Sequence, residues 1–240
     1  FETLIVKLDY EKNQWILTSK NGYKFKTKFL ICASNLLLHK RSLDILNINQ
    51  IPLRKAIPKN KDNKIDKIIN LLHQQDYIQR LTFLIYTRSN YSYKDNYANK
   101  YRYFILNKIL EEKYKFERII FQKQKNNRLA IVLHTKNIDF INEYFQCKNN
   151  EIFKKELLSK FNKIFVKQAR INKLMDFDDI SIMIWRASQP YGFGIPKSLQ
   201  VCEDHNLAFC GDWFDFEGFG RIEGAILSAL TLSLKINSLD

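Results

Sequence analysis

Three segments near the start of the chain carry strand-like polarity patterns: Leu4–Leu8, Gln14–Ser19 and Tyr23–Ala33. Polar residues 9–13 join the first two, and Asn21-Gly22, a dipeptide suited to tight hairpins, joins the next two. The third ends in the apolar run Phe29-Leu30-Ile31-Cys32, a short strand that leads into a loop. Residues 40–78 are polar, contain Pro52 and Pro58, and hold a helix predicted over Lys64–Gln75. Residues 80–87, 116–124 and 128–135 are rich in β-branched and aromatic side chains and are predicted as strands, the last two forming a hairpin across 125–127. Residues 90–104 form a Tyr-rich connection with little periodicity. Helices are predicted at Asn137–Phe145 and Glu151–Phe165, the second with Ile152, Phe153, Leu157, Phe161, Ile164 and Phe165 at helical spacing. Val166–Leu174 and Ile180–Ala187 are predicted as strands. A strand over 207–212 and a helix over 220–236 complete the pattern. The apolar positions of that helix, Ile222, Ala225, Ile226, Ala229, Leu230, Leu232 and Leu234, spread round its circumference, which predicts deep burial. The element order defines an α+β chain, an antiparallel sheet backed by helices, with no internal repeat.

Composition narrows this only slightly. The 240 residues are 45% hydrophobic and 14% aromatic, which describes a folded globular chain and not a disordered one. The formal charge of +14 does not by itself define a nucleic-acid partner. Lys supplies 29 of the 39 basic residues and is scattered along the chain beside abundant Asn and Ile, whereas a phosphate-reading surface clusters Arg with aromatics. A small-molecule partner is expected, with no specific nucleic acid and no membrane; no apolar run approaches the roughly 18 residues of a spanning helix. The four cysteines, Cys32, Cys147, Cys202 and Cys210, have no zinc-like spacing, and Cys32 and Cys210 lie in apolar runs as buried thiols do. Reduced thiols predict a cytoplasmic setting. The four histidines, His39, His73, His134 and His205, form no metal-binding spacing, and no metal is expected. The acidic run at 175–179 reads as a surface turn. The chain starts with Phe1, inside a strand pattern and not with Met, so a fragment or a processed chain is expected.

Four of the seven glycines fall within residues 209–236, where a strand gives way to a helix. The strand stops at Gly211-Asp212, and the helix opens after Gly220-Arg221. A strand end, glycines that permit close backbone approach, an acid and a helix N-terminus together make a nucleotide site or, equally simply, a tight strand-to-helix turn.

Residues 210–229, "CGDWFDFEGFGRIEGAILSA", resemble the C-terminal FAD motif of the flavin-dependent amine oxidase superfamily, in which a strand ends in Gly-Asp and a Gly-Arg-x-Glu-Gly-Ala helix follows. Residues 128–145 are similar to a strand-and-loop segment of renalase-like oxidoreductases, and "IMIWRASQPYG" at 182–192 to their Trp-Arg strand. The opening meander ending in "FLICAS" fits the segment where the chain re-enters the FAD domain. The resemblance implies part of a two-domain FAD-dependent oxidoreductase fold. Residues 1–38 would be the meander and return strand of the FAD domain, 39–187 a substrate-binding domain and 188–240 the C-terminal FAD-binding segment.

On the same resemblance, Asp212 would hydrogen-bond the ribityl–pyrophosphate region of FAD and Gly211 would allow close approach. Gly220, Arg221, Gly224 and Ala225 would stand at the helix entry, their backbone N–H groups facing the N1/C2 carbonyl edge of the flavin. Glu223 would orient the loop. His134 and Trp185 are candidate substrate-binding residues, and a core or gating role is open for Trp185 and Arg186. No catalytic residue stands out. The family's opening Gly-x-Gly-x-x-Gly turn is missing from these residues. The implied function is the C-terminal portion of a renalase-like oxidoreductase, with hydride passing from a dihydronicotinamide-like or amine substrate to flavin and oxygen as the reoxidant. The 240 residues alone are expected not to retain FAD. The alternative is a truncated, non-catalytic remnant serving as a binding or structural module.

Overall fold

The computed structural model describes residues 2–87, 103–124, 129–147, 150–169 and 177–238. By their packing the residues divide into two compact units, 1–77 with 189–240, and 78–188. The chain leaves the first unit within one strand and returns to it within another. Residues 39–77, grouped with the substrate-binding portion from sequence, pack within the first unit.

The first unit opens with a three-stranded meander, β1 (Ile5–Glu11), β2 (Gln14–Ser19) and β3 (Lys24–Thr27), paired in that order and antiparallel. The first connection is shorter than the polarity pattern indicates. β1 runs on to Glu11, and only Lys12 and Asn13 turn, both at positive φ (51° and 57°) as a tight hairpin of the strands' own twist requires. The predicted third strand divides in two. β3 carries the alternating, solvated Lys24–Thr27, whereas β4 (Leu30–Cys32) joins a different sheet, with Leu30 and Cys32 buried. Leu30 and Cys32 bury one face of β4 in the core of the first unit while Ile31 between them is 49% exposed, so it is the pairing with a strand from the end of the chain that takes these residues out of the meander.

Two short helices follow, α1 (Arg41–Leu46) and α2 (Pro52–Ala56), then α3 (Asn63–Gln74). Asp62 caps α3 by accepting from the Ile65 N–H at 3.0 Å, and Ile65, Ile68, Ile69 and Leu72 bury one stripe. These side chains share a core with Leu8, Trp15 and Leu53, and with Phe209 and Phe214 from the end of the chain.

The second unit is built on a five-stranded sheet of β5 (Asp76–Thr87), β6 (Tyr103–Ile105), β7 (Arg118–Lys123), β8 (Leu129–Thr135) and β9 (Phe177–Tyr191), in the order β6-β7-β8-β5-β9. Helices α4 (Lys108–Tyr114), α5 (Ile138–Gln146) and α6 (Asn150–Ala169) supply the layer for one face. Alternate strand residues, Leu81, Phe83 and Ile85 from β5 and Ile131 and Leu133 from β8, join Phe140, Phe153, Leu157 and Phe161 in one core. Phe83, Phe140 and Phe153 contact each other through their rings. The strand predicted at Val166–Leu174 is overturned over 166–169, where α6 continues to Ala169. Extending a formed helix adds one hydrogen bond per residue fixed, and Lys167, Gln168 and Ala169 are good helix formers; Val166 alone favours a strand. Residues 170–174 lie outside the described residues, as do Tyr91, Tyr93, Tyr97 and Tyr101 of the predicted Tyr-rich connection. Ile152 sits off the buried stripe of α6 and is 59% exposed.

Back in the first unit, β10 (Val201–Cys202) and β11 (Leu207–Phe209) form a second small sheet with β4, in the order β10-β11-β4. β11 and β4 are parallel, with Phe209 opposite Cys32. The last element, α7 (Ile222–Asn237), is not deeply buried as its composition predicted. Gly224, Ser228 and Leu232 face inward, and Leu232 packs with Val201, Ala208 and Cys210. Ile222, Ile226, Leu230 and Leu234, spaced by four, are 52–73% exposed. The small sheet and the loops around it cover one side of the helix, and the apolar stripe on the other side has no partner among the described residues. Among these residues, no helix is long and apolar enough to cross a membrane.

Candidate functional site

β4 and β11 end side by side, and the Cys210 N–H still donates to the Cys32 carbonyl at 3.2 Å. The carboxyl ends of parallel strands are where open α/β sheets hold ligands, because backbone and loops diverge there and leave a crevice. The loop after β11 holds Gly211 and Asp212, then folds back to start α7. The Gly211 N–H donates to Ser228 Oγ (3.1 Å), and Gln200 Nε2 donates to the same hydroxyl (3.2 Å) and to the Ser228 carbonyl (2.9 Å). Ser228 and Gln200 are fully buried, so this junction fixes the loop to the helix.

The predicted residues Gly211, Asp212, Gly220, Arg221, Gly224 and Ala225 come together here, but the glycines serve the chain itself. A Cβ on Gly211, whose φ is +145°, would stand 2.2 Å from Trp213 Nε1. A Cβ on Gly224 would stand 2.5 Å from the Gly218 carbonyl oxygen, so the loop backbone packs directly on the first turn of α7. The expected N–H donors also change. Gly220 donates to the Asp212 carbonyl (2.8 Å), Arg221 to Gly218 (2.8 Å) and Ala225 to Arg221 (3.2 Å). Ile222, Glu223 and Gly224 open the helix behind an N-cap, Arg221, that makes no side-chain cap bond, so their N–H groups are the ones left for a ligand.

The Asp212 carboxylate is half-buried and, among the described residues, bonds to its own backbone N–H and to no side chain; burial raises its pKa above the ordinary carboxylate value. Facing the same strand ends is a polar cluster that local sequence does not announce. Tyr77 Oη accepts from Asn35 Nδ2 (2.5 Å) and donates to Gln75 Oε1 (3.1 Å), while Gln75 Nε2 donates to the Phe193 carbonyl (2.7 Å). The Arg41 guanidinium lies 4.1 Å from the centre of the Tyr77 ring and donates to Asn35 Oδ1 (3.0 Å). Burial raises the Tyr77 pKa, as does the charge of Asp212, while Arg41 opposes both. Asp212 and Tyr77 therefore share one electrostatic environment, although 135 positions separate them in sequence.

The two substrate-binding candidates are neighbours within the second unit, joined by a residue the sequence did not single out. Trp185 Nε1 donates to Thr82 Oγ1 at 3.1 Å, and Thr82 Oγ1 lies 3.0 Å from His134 Nδ1. Burial lowers the His134 pKa below its ordinary value, and the charges of Arg118 and Arg80 add to this. Arg186 is exposed. Among the described residues, no group of three or more His, Cys, Asp or Glu side chains stands ready to hold a metal. All four cysteines are free thiols, and burial pushes the Cys32 and Cys202 thiols up to about 12.

These elements make a mixed α/β fold with antiparallel sheets, and that fold matches part of several solved oxidoreductase structures. The chain is similar to cyclohexylamine oxidase from Brevibacterium oxydans IH-35A, with a TM-score of 0.59 and 10% identity, covering 97% of this chain and 48% of that one. It is also similar to a putrescine oxidase redesigned in its cofactor binding (TM-score 0.54, 9% identity, 99% of this chain and 49% of that one). An oxidoreductase from Methanosarcina mazei is a third such structure (TM-score 0.54, 10% identity, 95% and 48%). At these identities the likeness is one of fold, and the chain spans about half the length of the structures it resembles. No protein-family model and no curated protein matches the chain.

Proposed function

We propose that these residues form the C-terminal half of the cofactor site of a renalase-like, FAD-dependent oxidoreductase. The observation that carries this reading is Asp212: a half-buried carboxylate without a side-chain partner among the described residues, at the carboxyl end of a parallel strand pair and beside an uncapped helix start. The donor set suits such a cofactor. The carboxylate would accept from its hydroxyls, and the N–H groups of Ile222, Glu223 and Gly224 would donate to ring or phosphate oxygens with the helix dipole behind them. When bound, FAD supplies the two-electron chemistry, accepting hydride from a dihydronicotinamide-like ring or, as the second choice, an amine, with oxygen as the reoxidant. The chain's own residues bind and orient; no side chain is assigned as a general base.

The uncovered stripe of α7, Ile222, Ile226, Leu230 and Leu234, supports a further part of the reading: a second polypeptide segment completes the site. The same stripe is what a non-catalytic docking module would use, and flavin binding separates the two. Residues 1–240 alone are expected to purify without stoichiometric flavin, because one carboxylate and one helix start do not offset the cost of ordering a large dianion. Expressed together with a dinucleotide-binding segment encoded upstream in frame, the chain is expected to hold FAD, and Asp212→Ala to lower that occupancy without unfolding it. A colourless complete protein would favour the docking module. Unchanged flavin occupancy in Asp212→Ala would show that the site lies elsewhere.

A further inference from the structure

One end of the meander in the first unit exposes apolar side chains and lysines together. From Lys12 to Leu43 the sequence carries no Asp or Glu. Within that span Lys20, Lys24, Lys26 and Lys28 fall on the β2–β3 turn and the strand after it, and all four are exposed. β3 is an edge strand of its sheet, and lysines on an edge guard it against pairing with another sheet. That role does not account for the apolar side chains beside them: Tyr23 is 67% exposed, Phe25 48% and Leu4 45%. The backbone fixes this arrangement. The Ser19 N–H donates to the Tyr23 carbonyl (2.9 Å), the Tyr23 N–H donates to Ser19 Oγ (3.0 Å), and Gly22 turns the chain between them at a φ of +84°. The Lys20 N–H donates to the Leu4 carbonyl (2.8 Å), which holds Leu4 beside the turn. An ion pair of the meander, Lys7 with Asp9 (2.6 Å), lies on β1; among the described residues the four lysines pair with no carboxylate. Strand register separates ring from amines. Phe25 stands opposite Leu17, on the side that faces the core with Trp15, whereas Lys24 and Lys26 stand opposite Thr18 and Ile16 on the other side.

We propose that this end of the meander docks on an anionic phospholipid surface, with Tyr23, Phe25 and Leu4 entering the headgroup layer and the four lysines lying over acidic headgroups. A tyrosine, apolar in its ring and polar at its tip, suits the bilayer interface, and a lysine stem lets its amine reach the headgroups from a buried Cα. The edge geometry selects this partner over a nucleic-acid strand. A strand lying on one face of the sheet would meet Phe25 without the amines, and on the other face the amines without the ring, whereas single-strand recognition combines the two along one groove. A flat surface that meets the edge of β3 reaches both faces at once. Each lysine beside an acidic leaflet is worth roughly a fivefold gain in partitioning, so the four together supply on the order of several hundredfold. A peripheral contact of this kind needs no spanning helix, and none is found among the described residues. The proposal is independent of the flavin reading.

The test is flotation of the 240-residue chain with vesicles of phosphatidylcholine alone and of phosphatidylcholine with phosphatidylserine. The chain is expected to bind the acidic vesicles at least tenfold more tightly than the neutral ones, and added salt should weaken that binding. Because a formal charge of +14 attracts any acidic surface, two variants of equal charge separate the site from the bulk. Lys24→Gln with Lys26→Gln should weaken binding to acidic vesicles roughly 25-fold. Lys55→Gln with Lys67→Gln, at exposed lysines elsewhere in the first unit, should weaken it less than threefold. Tyr23→Ser with Phe25→Ser, which keeps every charge, should weaken it at least fivefold. Tyr23→Trp, a substitution that keeps the ring, should add to the parent's emission a component that shifts to the blue on acidic vesicles and is quenched by brominated lipid. No flotation with acidic vesicles, equal losses from the two lysine pairs, undiminished binding without the two rings, or an unquenched Tyr23→Trp would each overturn the proposal. Tighter binding of a single-stranded oligonucleotide than of acidic vesicles, lost in the Lys24 and Lys26 variant, would overturn it in favour of nucleic acid.

Discussion

Acidification should weaken this fold through one buried imidazole. His39 is 3% exposed, and its Nδ1 accepts from both the backbone N–H of Arg41 (3.1 Å) and Arg41 Nε (3.3 Å). A proton on Nδ1 would displace both donors and place a second cation beside Arg41. Burial first, then the charges of Arg41, His73 and Lys40, lower the His39 pKa from 6.5 to about 4. The sign follows from linkage. Between about 4 and 6.5 the unfolded chain carries a proton at this position and the folded chain does not, so stability falls as pH drops through that window and is unaffected above it. At about 1.4 kcal/mol per pH unit, the full loss below the folded pKa is ~3 kcal/mol, and ~2 kcal/mol of it is present at pH 5. Against a total stability of roughly 5–15 kcal/mol this is a large share.

The assay is urea unfolding at pH 7, 6 and 5, comparing the parent chain with His39→Asn, whose Oδ1 can take the place of Nδ1 as acceptor for Arg41. His73 and His134 also have lowered pKa values, but both chains carry them, and burial, Lys40 and Arg54 hold His73 down independently of His39. Between pH 7 and 5 the parent should therefore lose about 2 kcal/mol more than the variant. Parallel curves, agreeing within about 0.5 kcal/mol at all three pH values, would refute the assignment of a buried, neutral His39.

The two sides of α7 should respond oppositely to substitution: Leu230→Lys, on the exposed stripe, is expected to change the chain's stability by less than about 0.5 kcal/mol, whereas Leu232→Ala should cost about 2–4 kcal/mol in the same unfolding assay. If Leu230→Lys is as damaging as Leu232→Ala, the stripe is covered in solution. Gly224→Ala gains about 1 kcal/mol of helix propensity but drives a Cβ to 2.5 Å from the Gly218 carbonyl oxygen, so a net loss of about 1–3 kcal/mol is expected, read as a lower melting temperature. A more stable Gly224→Ala chain would show that the loop does not pack on the helix.

Local pattern alone specified the meander, the amphipathic stripe of α3, four strands of the five-stranded sheet (β6 falls in the segment read as a Tyr-rich connection) and the Gly-Asp turn into the last helix. Each depends on a period of two or 3.6 residues, or on turn chemistry, that a short window contains. Where local preference and packing differed, packing decided. The run Tyr23–Ala33 reads as one strand, yet Leu30–Cys32 pairs with β11, whose residues lie nearly 180 positions later. α7 has an all-round apolar composition, but how much of it is covered depends on which elements surround it, and these residues cover one side. The candidate site divides in the same way. Asp212 and its glycines are adjacent in the chain and could be found there. Tyr77 with Asn35 and Arg41, and Thr82 between His134 and Trp185, are ordinary residues at unremarkable positions. Only the register of β5 with β8, and a hydrogen bond spanning 103 residues, place Thr82 between Trp185 Nε1 and His134 Nδ1.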